Sequence, residues 1–218
     1  MMTTTLDTTQ IKALMSAVAD GLIAHKDDLA ALDAELGDGD LGRTVERGFI
    51  GIKEALAGTL PDDIGRALFQ LGKAFSNAAP SSFGALYGTA LMKGGTALKD
   101  KLTVTLAECA DATQAALDAL IERGKAQVGD KTMLDAIAPA INAMRATLAD
   151  VGDDASAAVV LRAAADAAQQ GADETASMQS KIGRASWQGE RSTGKKDPGA
   201  QAVAFMFAAA AAYLEAQP

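Results

Sequence analysis

The chain has 218 residues, enough for one domain of ordinary size with its own hydrophobic core, and its formal net charge is −8. An acidic surface disfavours nucleic acid and anionic membranes as partners, because both carry negative charge. Apolar residues make up 49% of the chain but aromatic residues only 4%, a composition that favours closely packed helices over sheets.

Apolar residues recur at helical spacing along most of the chain. Helices are predicted at 7–27, from 28 to about 37, at 44–56, along the stripe from Ile64 to Phe75, and at 85–99, 106–125, 134–148, 153–170 and 197–215. We expect Pro139 to bend or break its helix, and we expect the glycines within 85–99 to mark a close backbone approach. No segment alternates like a strand, so one all-α domain of about eight helices is predicted.

The chain is expected to be soluble and cytoplasmic. Its first residues lack the basic and apolar segments of a signal peptide. The longest apolar run, 202–214, is too short for a membrane span of about 20 residues. No membrane partner is therefore expected.

The stretch Asp33–Gly42 combines four acidic residues with three glycines and contains no basic residue. Carboxylates that lie close together repel one another, so such a cluster calls for a cation or an exposed turn. If a helix ends near Gly37, Asp38 and Asp40 can fold back toward Asp33, and the three glycines can supply positive φ values for the turn. This spacing predicts a Mg²⁺ site that in turn holds nucleotide phosphates. The alternative is a solvated turn in which the aspartates cap helices.

Two well-known ion and phosphate motifs do not fit. An EF-hand loop that starts at Asp38 needs glycine at its sixth position and glutamate at its twelfth, and Arg43 and Phe49 occupy these positions. The segment Gly189–Lys196 has the glycine and lysine spacing of a Walker A loop. However, a lysine replaces the Ser or Thr that binds Mg²⁺, and no apolar strand precedes the segment.

The segment 171–196 is too long for an ordinary connection between helices. Its part from 184 to 196 contains four cations in an otherwise acidic chain: Arg184, Arg191, Lys195 and Lys196. Asp197 and Pro198 then begin the last helix as N-cap and first helical residue, and a helix N-terminus favours an anion. A phosphate or nucleotide lid is predicted, with a solvated basic loop as the alternative. Trp187, the only tryptophan, is expected to anchor this loop, and stacking on a nucleotide base is the alternative.

Several stretches in a particular order carry a family resemblance: Asp33–Asp40, Gly84–Thr89, Arg123–Met133, Gly183–Gly194 and Asp197–Ala200. Together they resemble the nucleotide-binding L subunit, or C-terminal L domain, of dihydroxyacetone kinases, and the resemblance covers nearly the whole chain. It implies an eight-helix antiparallel barrel, formed by a single domain over residues 1–218. It also implies ADP or ATP with two Mg²⁺ ions at one open end of the barrel.

The resemblance also implies roles for particular residues. Asp33, Asp38 and Asp40 would be the metal ligands. The residues expected around the phosphates, the adenine and the closing loop form a larger set: Leu41, Gly42, Arg43, Thr44, Phe83, Gly84, Gly124, Met133, Arg184, Asp197, Pro198 and Gly199. Leu41 and Phe83 depart from the family, which usually has histidine and serine there. No catalytic side chain is expected, because the bound Mg-nucleotide itself transfers the phosphoryl group.

The family resemblance further implies partners. In this family a separate K subunit binds the keto sugar, so the phosphoryl group would pass to dihydroxyacetone, or to a related sugar such as erythrulose, on a K-type partner. A phosphotransferase-system protein that rephosphorylates bound ADP is expected as donor, and exchange of ATP is the alternative. A homodimer and a nucleotide-dependent regulator that binds a transcription factor stay open.

Overall fold

The computed structural model describes residues 4–152 and 155–217, and these are mostly helical. Their nine α-helices are α1 (Thr8–Ala24), α2 (Lys26–Leu36), α3 (Leu41–Ala57), α4 (Ile64–Ala78), α5 (Ser82–Ala97), α6 (Leu106–Gly124), α7 (Leu134–Val151), α8 (Ala157–Glu174) and α9 (Pro198–Glu215). Two 3-10 helices, Thr175–Ser177 and Arg184–Ser192, lie between α8 and α9. The all-α prediction is confirmed.

Eight of these helices form a closed ring. Each packs against the next in the order α1, α3, α4, α5, α6, α7, α8 and α9, and α9 returns to α1. Helix α2 follows α1 after the single residue His25 and lies against α3 and α9. Consecutive packed helices with short connections run antiparallel, so the N-termini of α3, α5, α7 and α9 share the end of the barrel at which α2 lies. We call this the α2 end.

Small residues let neighbouring helices of the ring approach closely. A Cβ on Gly65 would lie 2.3 Å from the carbonyl oxygen of Gly95, and one on Gly72 would lie 2.7 Å from that of Gly88. The close approach predicted for the glycines of α5 is therefore made with α4. Within the described chain, no helix is long and apolar enough to cross a membrane.

The prediction that no strand forms is wrong, and of the bend or break predicted at Pro139 the break is absent. Strands β1 (Thr5–Asp7) and β2 (Thr103–Thr105) pair antiparallel at the end of the barrel opposite α2; at three residues each, they are too short to show an alternating pattern. Helix α7 continues through Pro139 without a break. Helix α8 supports it there, because a Cβ on Gly171 would lie only 2.8 Å from the proline Cγ.

Several helices begin or end at other residues than predicted, because their capping residues were not identified correctly. Helix α3 begins at Leu41 and α5 at Ser82, each three residues earlier than predicted. Helix α5 starts earlier because Ser81 accepts a hydrogen bond from the Gly84 N–H at 3.0 Å. Helix α8 continues to Glu174 and is capped by Ser156. Its predicted start at Asp153 lies outside the described residues.

Candidate functional site

Three aspartates converge where α2 ends and α3 begins. Asp33 lies in the last turns of α2, and Asp38 and Asp40 lie in the connection to α3. One carboxylate oxygen of each lies within 4.8 Å of those of the other two. Asp33 is half-buried, and the other two are exposed. The structure therefore brings together the three residues that the sequence nominated as metal ligands.

Two glycines shape this turn for different reasons. Gly39 has a φ of +74°, in the left-handed region that favours glycine. Gly42 belongs to the first turn of α3, and a Cβ there would lie 2.1 Å from the carbonyl oxygen of Lys26. Among the three glycines of the stretch only Gly39 has positive φ, so that expectation is wrong for Gly37 and Gly42. Gly42 is needed instead for the close crossing of α3 over α2.

The first turn of α3 lies next to the aspartates. Asp40 is its N-cap residue, but the Asp40 side chain makes no capping hydrogen bond. Instead, the N–H of Leu41 donates to Asp33 Oδ2 at 3.1 Å. The N–H groups of Gly42 and Arg43 have no carbonyl acceptor within the helix. A carboxylate suited to a cation thus lies beside amides suited to an anion, which is the combination that a metal-bound phosphate requires.

The two residues that depart from the family pattern both pack inward. Leu41 is 6% exposed and belongs to the hydrophobic core. Phe83 stacks on Tyr87 with a centroid separation of 6.1 Å and contacts the core. Thr44 is also buried, whereas Arg43 is exposed. Of these four side chains, only that of Arg43 is freely accessible to a ligand. Leu41 would therefore contact a bound nucleotide through its backbone.

The loop between α8 and α9 brings cations to the acidic cluster. Arg184 Nη1 donates to the carboxylate of Asp38 and lies 3.9 Å from Asp40 Oδ2. Lys195 Nζ donates to the carbonyl oxygen of Glu35, in α2, at 2.8 Å. The charged pairs are about half exposed, so they contribute little to stability. Their importance lies in placing positive charge beside a site that can hold phosphates.

The N-terminus of α9 meets that of α7. Asp197 caps α9 by accepting from the Ala200 N–H at 2.8 Å, and Pro198 is the first helical residue; both predictions are confirmed. A Cβ on Gly199 would lie 3.8 Å from Met133. Burial raises the pKa of Asp197 to about 7, while the hydrogen bond from Ala200 opposes this shift.

Gly84 and Gly124 lie at the α2 end but differ in their surroundings. A Cβ on Gly84 would lie 1.8 Å from the carbonyl oxygen of Ala79, so the start of α5 already requires glycine there. A Cβ on Gly124 would meet only a methyl group of Leu86, at 3.9 Å. Gly124 therefore leaves open space at the end of α6, and it stays a predicted nucleotide contact.

Sequence reasoning missed one residue of this region and misjudged another. Lys131 is 1% exposed and lies beneath the long loop; its position in a polar turn gave no signal of burial. Trp187 is 87% exposed, so the expectation that it anchors the loop is wrong. Backbone carbonyls bound by Lys131 do the anchoring instead.

Comparison with known proteins connects this arrangement to a family. Residues 35–212 match the DAK2 domain. The chain belongs to the DAK2 domain family. The matched region begins two residues after Asp33 and contains the other predicted site residues.

Individual DAK2 relatives refine the match. The ADP-binding subunit DhaL of the PEP-dependent dihydroxyacetone kinase of Escherichia coli (strain K12) is 35% identical, over 92% of this chain and 94% of its own length. The D-erythrulose kinase of Mycolicibacterium smegmatis is 38% identical, over 86% of this chain and 32% of its own length. The crystal structure of the dihydroxyacetone kinase from C. freundii in complex with AMP-PNP and Mg²⁺ matches with a TM-score of 0.75 and 26% identity, over 97% of this chain and 35% of that one.

These matches confirm the resemblance to the L subunit or L domain of dihydroxyacetone kinases. The match of this chain spans nearly the whole E. coli subunit. It spans only about a third of the erythrulose kinase and of the C. freundii enzyme.

Proposed function

We propose that this protein is the nucleotide-bearing subunit of a dihydroxyacetone-type kinase. It holds Mg-ADP or Mg-ATP at the α2 end and transfers the terminal phosphoryl group to a keto sugar on a separate K-type subunit. The observation that carries the proposal is the convergence of Asp33, Asp38 and Asp40 with the first turn of α3 and with Arg184. The E. coli relative is an ADP-binding subunit, and the C. freundii relative was crystallised in complex with AMP-PNP and Mg²⁺; both support the proposal.

The three aspartates fit Mg²⁺ by their donor chemistry. Mg²⁺ prefers oxygen ligands and uses few protein side chains, because it keeps waters and substrate phosphates. Asp33, Asp38 and Asp40 would hold the metal, with two ions as the proposed number. Bound Mg²⁺ would offset the negative charge of the phosphoryl oxygens during transfer.

The chain's own groups would position the nucleotide rather than react with it. The N–H groups of Gly42 and Arg43 would donate to phosphate oxygens at the start of α3. Arg184 would direct its positive charge toward the transferring group. Gly124 and Met133 would lie beside the adenine. The loop above them would keep out water, which otherwise competes with the sugar hydroxyl.

The phosphoryl donor and the sugar are the finer parts of the proposal. The E. coli relative is named as PEP-dependent, which favours a phosphotransferase-system protein that rephosphorylates bound ADP. Erythrulose is the second candidate sugar, since an erythrulose kinase is 38% identical. If erythrulose is the sugar, exchange of ATP at the site is the alternative source of the phosphoryl group. Denaturing the purified protein and identifying the released nucleotide separates the routes. Stoichiometric ADP supports rephosphorylation in place, and an empty site supports exchange.

Substitution of the aspartates tests the site itself. We expect Asp38→Asn and Asp40→Asn to abolish Mg-ADP binding in calorimetric titration, because each removes a ligand charge. The helical circular dichroism should not change, because both side chains are exposed. Asp27→Asn, an exposed aspartate at the other end of α2, makes the same charge change as a control. If either site variant binds Mg-ADP as tightly as Asp27→Asn, the metal assignment is wrong.

Phosphoryl transfer completes the functional test. Sugar phosphate should form only when the protein is mixed with a K-type subunit that carries dihydroxyacetone, together with ATP or with the PEP-dependent phosphotransferase proteins. Asp40→Asn should form none. Equal production without the K-type subunit would contradict the proposed division of roles.

A further inference from the structure

A lysine is buried beneath the long loop, in the connection between α6 and α7. Its exposed fraction is 1%, and the ammonium group of Lys131 donates to three backbone carbonyls. These belong to Met178 at 3.1 Å, Ser192 at 2.5 Å and Lys195 at 2.6 Å. An ammonium group has three N–H donors, so a single segment of chain takes up its entire donor capacity.

The three carbonyls belong to the two ends of one loop. We call residues 178–195 the lid: Met178 begins it, and Ser192 and Lys195 lie near its end. The ends also bond to each other, because the Ser180 N–H donates to Ser192 Oγ at 2.9 Å. Lys131 therefore closes the base of the lid, while the middle of the lid carries Arg184 to the aspartates.

The backbone of Lys131 adopts a conformation that is uncommon for lysine. Its φ is +64°, in the left-handed region that costs a non-glycine residue energy. Glycine, asparagine or aspartate would meet the demands of this turn better than lysine. A strained residue persists where its surroundings determine it strongly, and the surroundings here are the three carbonyls of the lid.

Burial of the Lys131 ammonium group carries an electrostatic cost that a neighbouring carboxylate partly offsets. Burial lowers its pKa, and the negative charge of Asp197 opposes that shift. Asp197 begins α9 directly after the lid, and Met133 precedes α7 two residues after Lys131. The ammonium group thus lies among the three segments that meet at this side of the α2 end.

We propose that Lys131 is the positioning residue of the lid. By fixing both ends of the lid, it holds Arg184 beside Asp38 and Asp40, and it thereby sets how long a Mg-nucleotide is retained. The retention part rests on the proposed function, whereas the anchoring of the lid does not. Lys131 does not contact the aspartates; it acts through the lid.

The chain offers a closely matched control for this residue. Lys125 lies in the same connection, also has a left-handed backbone with a φ of +52°, and is exposed. Lys131→Met removes the ammonium group and keeps an unbranched side chain as long as the aliphatic part of lysine. Lys125→Met makes the same change away from the lid. Lys131→Gly removes the ammonium group and relieves the backbone strain, so it serves if the methionine variant folds poorly.

Hydrogen exchange and the fluorescence of Trp187 test the anchor without any ligand. Trp187 is the only tryptophan and lies in the lid, so a difference in its anisotropy between variants of equal size reports a change in the lid. Relative to Lys125→Met, we expect Lys131→Met and Lys131→Gly to speed exchange within 178–195 by about tenfold or more, because three charge-assisted hydrogen bonds are lost. We also expect lower Trp187 anisotropy, and unchanged exchange in α1, α3 and α4.

The rate at which Mg-ADP is released tests the consequence for the site, and stopped-flow displacement measures this rate. We expect the two Lys131 variants to release Mg-ADP about tenfold faster than Lys125→Met. Lid exchange equal to that of Lys125→Met in both variants would overturn the proposal. Exchange accelerated equally in every helix would also overturn it, because Lys131 would then stabilise the whole barrel. If the wild-type protein binds no nucleotide, the proposed function fails, and the exchange result still decides the anchoring.

Discussion

At the scale of single residues, the site depends on a charge balance between Arg184 and the aspartates. The guanidinium contacts Asp38 and lies 3.9 Å from Asp40, which offsets repulsion among the carboxylates. A divalent cation at the same carboxylates would take over that role. The arginine would then be available for the phosphates that the metal brings with it.

This balance predicts opposite effects on two ligands. We expect Arg184→Gln to strengthen the binding of Mg²⁺ alone severalfold, because a competing cation is removed, and to speed the release of Mg-ADP about tenfold, because a phosphate partner is lost. Titration calorimetry with Mg²⁺ and displacement kinetics with Mg-ADP measure the two effects. Arg191→Gln, an exposed arginine of the same lid, is the control. Changes in the same direction for both ligands would contradict the balance.

Two glycines of the predicted site should respond differently to alanine. Gly42→Ala places a methyl group against the Lys26 carbonyl and should lower the free energy of unfolding by about 1–3 kcal/mol. Gly124→Ala meets only ordinary contacts at the end of α6 and should be neutral or stabilising by up to about 1 kcal/mol. Urea denaturation measures both changes.

The tolerance of Gly124 makes it a direct probe of the adenine. If Gly124→Ala leaves stability intact but weakens ADP binding, the added methyl group must meet the ligand. If stability and ADP affinity are both unchanged, the predicted contact of Gly124 with the adenine is wrong.

At the scale of elements, α9 begins with a carboxyl group that burial makes hard to ionise. The pKa of Asp197 rises from 3.8 to about 7 in the folded chain. Between these values the folded state holds a proton that the unfolded state has lost. The contribution of this group to stability is therefore full below about pH 4 and falls as the pH rises toward 7.

Asp197→Asn should remove that pH dependence. Asparagine caps helices as well as aspartate does, but it does not titrate. We expect the unfolding free energy of the variant to lose a slope of at most about 1.4 kcal/mol per pH unit between pH 5 and 6.5. Urea unfolding of nucleotide-free protein at several pH values measures it. Asp63→Asn makes the same change at the N-cap of α4. A slope for Asp197→Asn that matches those of wild type and Asp63→Asn would contradict this assignment.

Local signals explain which elements could be predicted from sequence. Asp197 and Pro198 predict the start of α9 correctly, because both act within the first turn of the helix that they begin. The burial of Lys131 could not be predicted, because its acceptors lie 47 to 64 residues away. The contact of Arg184 with Asp38 spans 146 residues. The sequence indicated Asp38 as a metal ligand and Arg184 as part of a phosphate-binding loop. Only the family resemblance placed these two residues in one site.

At the scale of the whole molecule, the ring determines how the site is coupled to stability. Helices α3 and α7 stand across the ring from each other, with three helices between them in either direction. The proposed phosphate contacts lie at the start of α3, and the proposed adenine contact Met133 precedes α7. A nucleotide that touches both would connect opposite sides of one cooperative unit.

Ligand binding should therefore shift the unfolding of the whole barrel. With Mg²⁺ and ADP at a hundredfold excess over Kd, mass action adds about 2.7 kcal/mol to the free energy of unfolding. For a chain of this size that corresponds to a rise in Tm of about 5–10 °C. Differential scanning calorimetry should show one transition that moves as a whole, and EDTA or Asp40→Asn should cancel the shift. A shift that survives EDTA would contradict the metal site. A trace that splits, with one part unmoved, would show that the ring does not unfold as one unit.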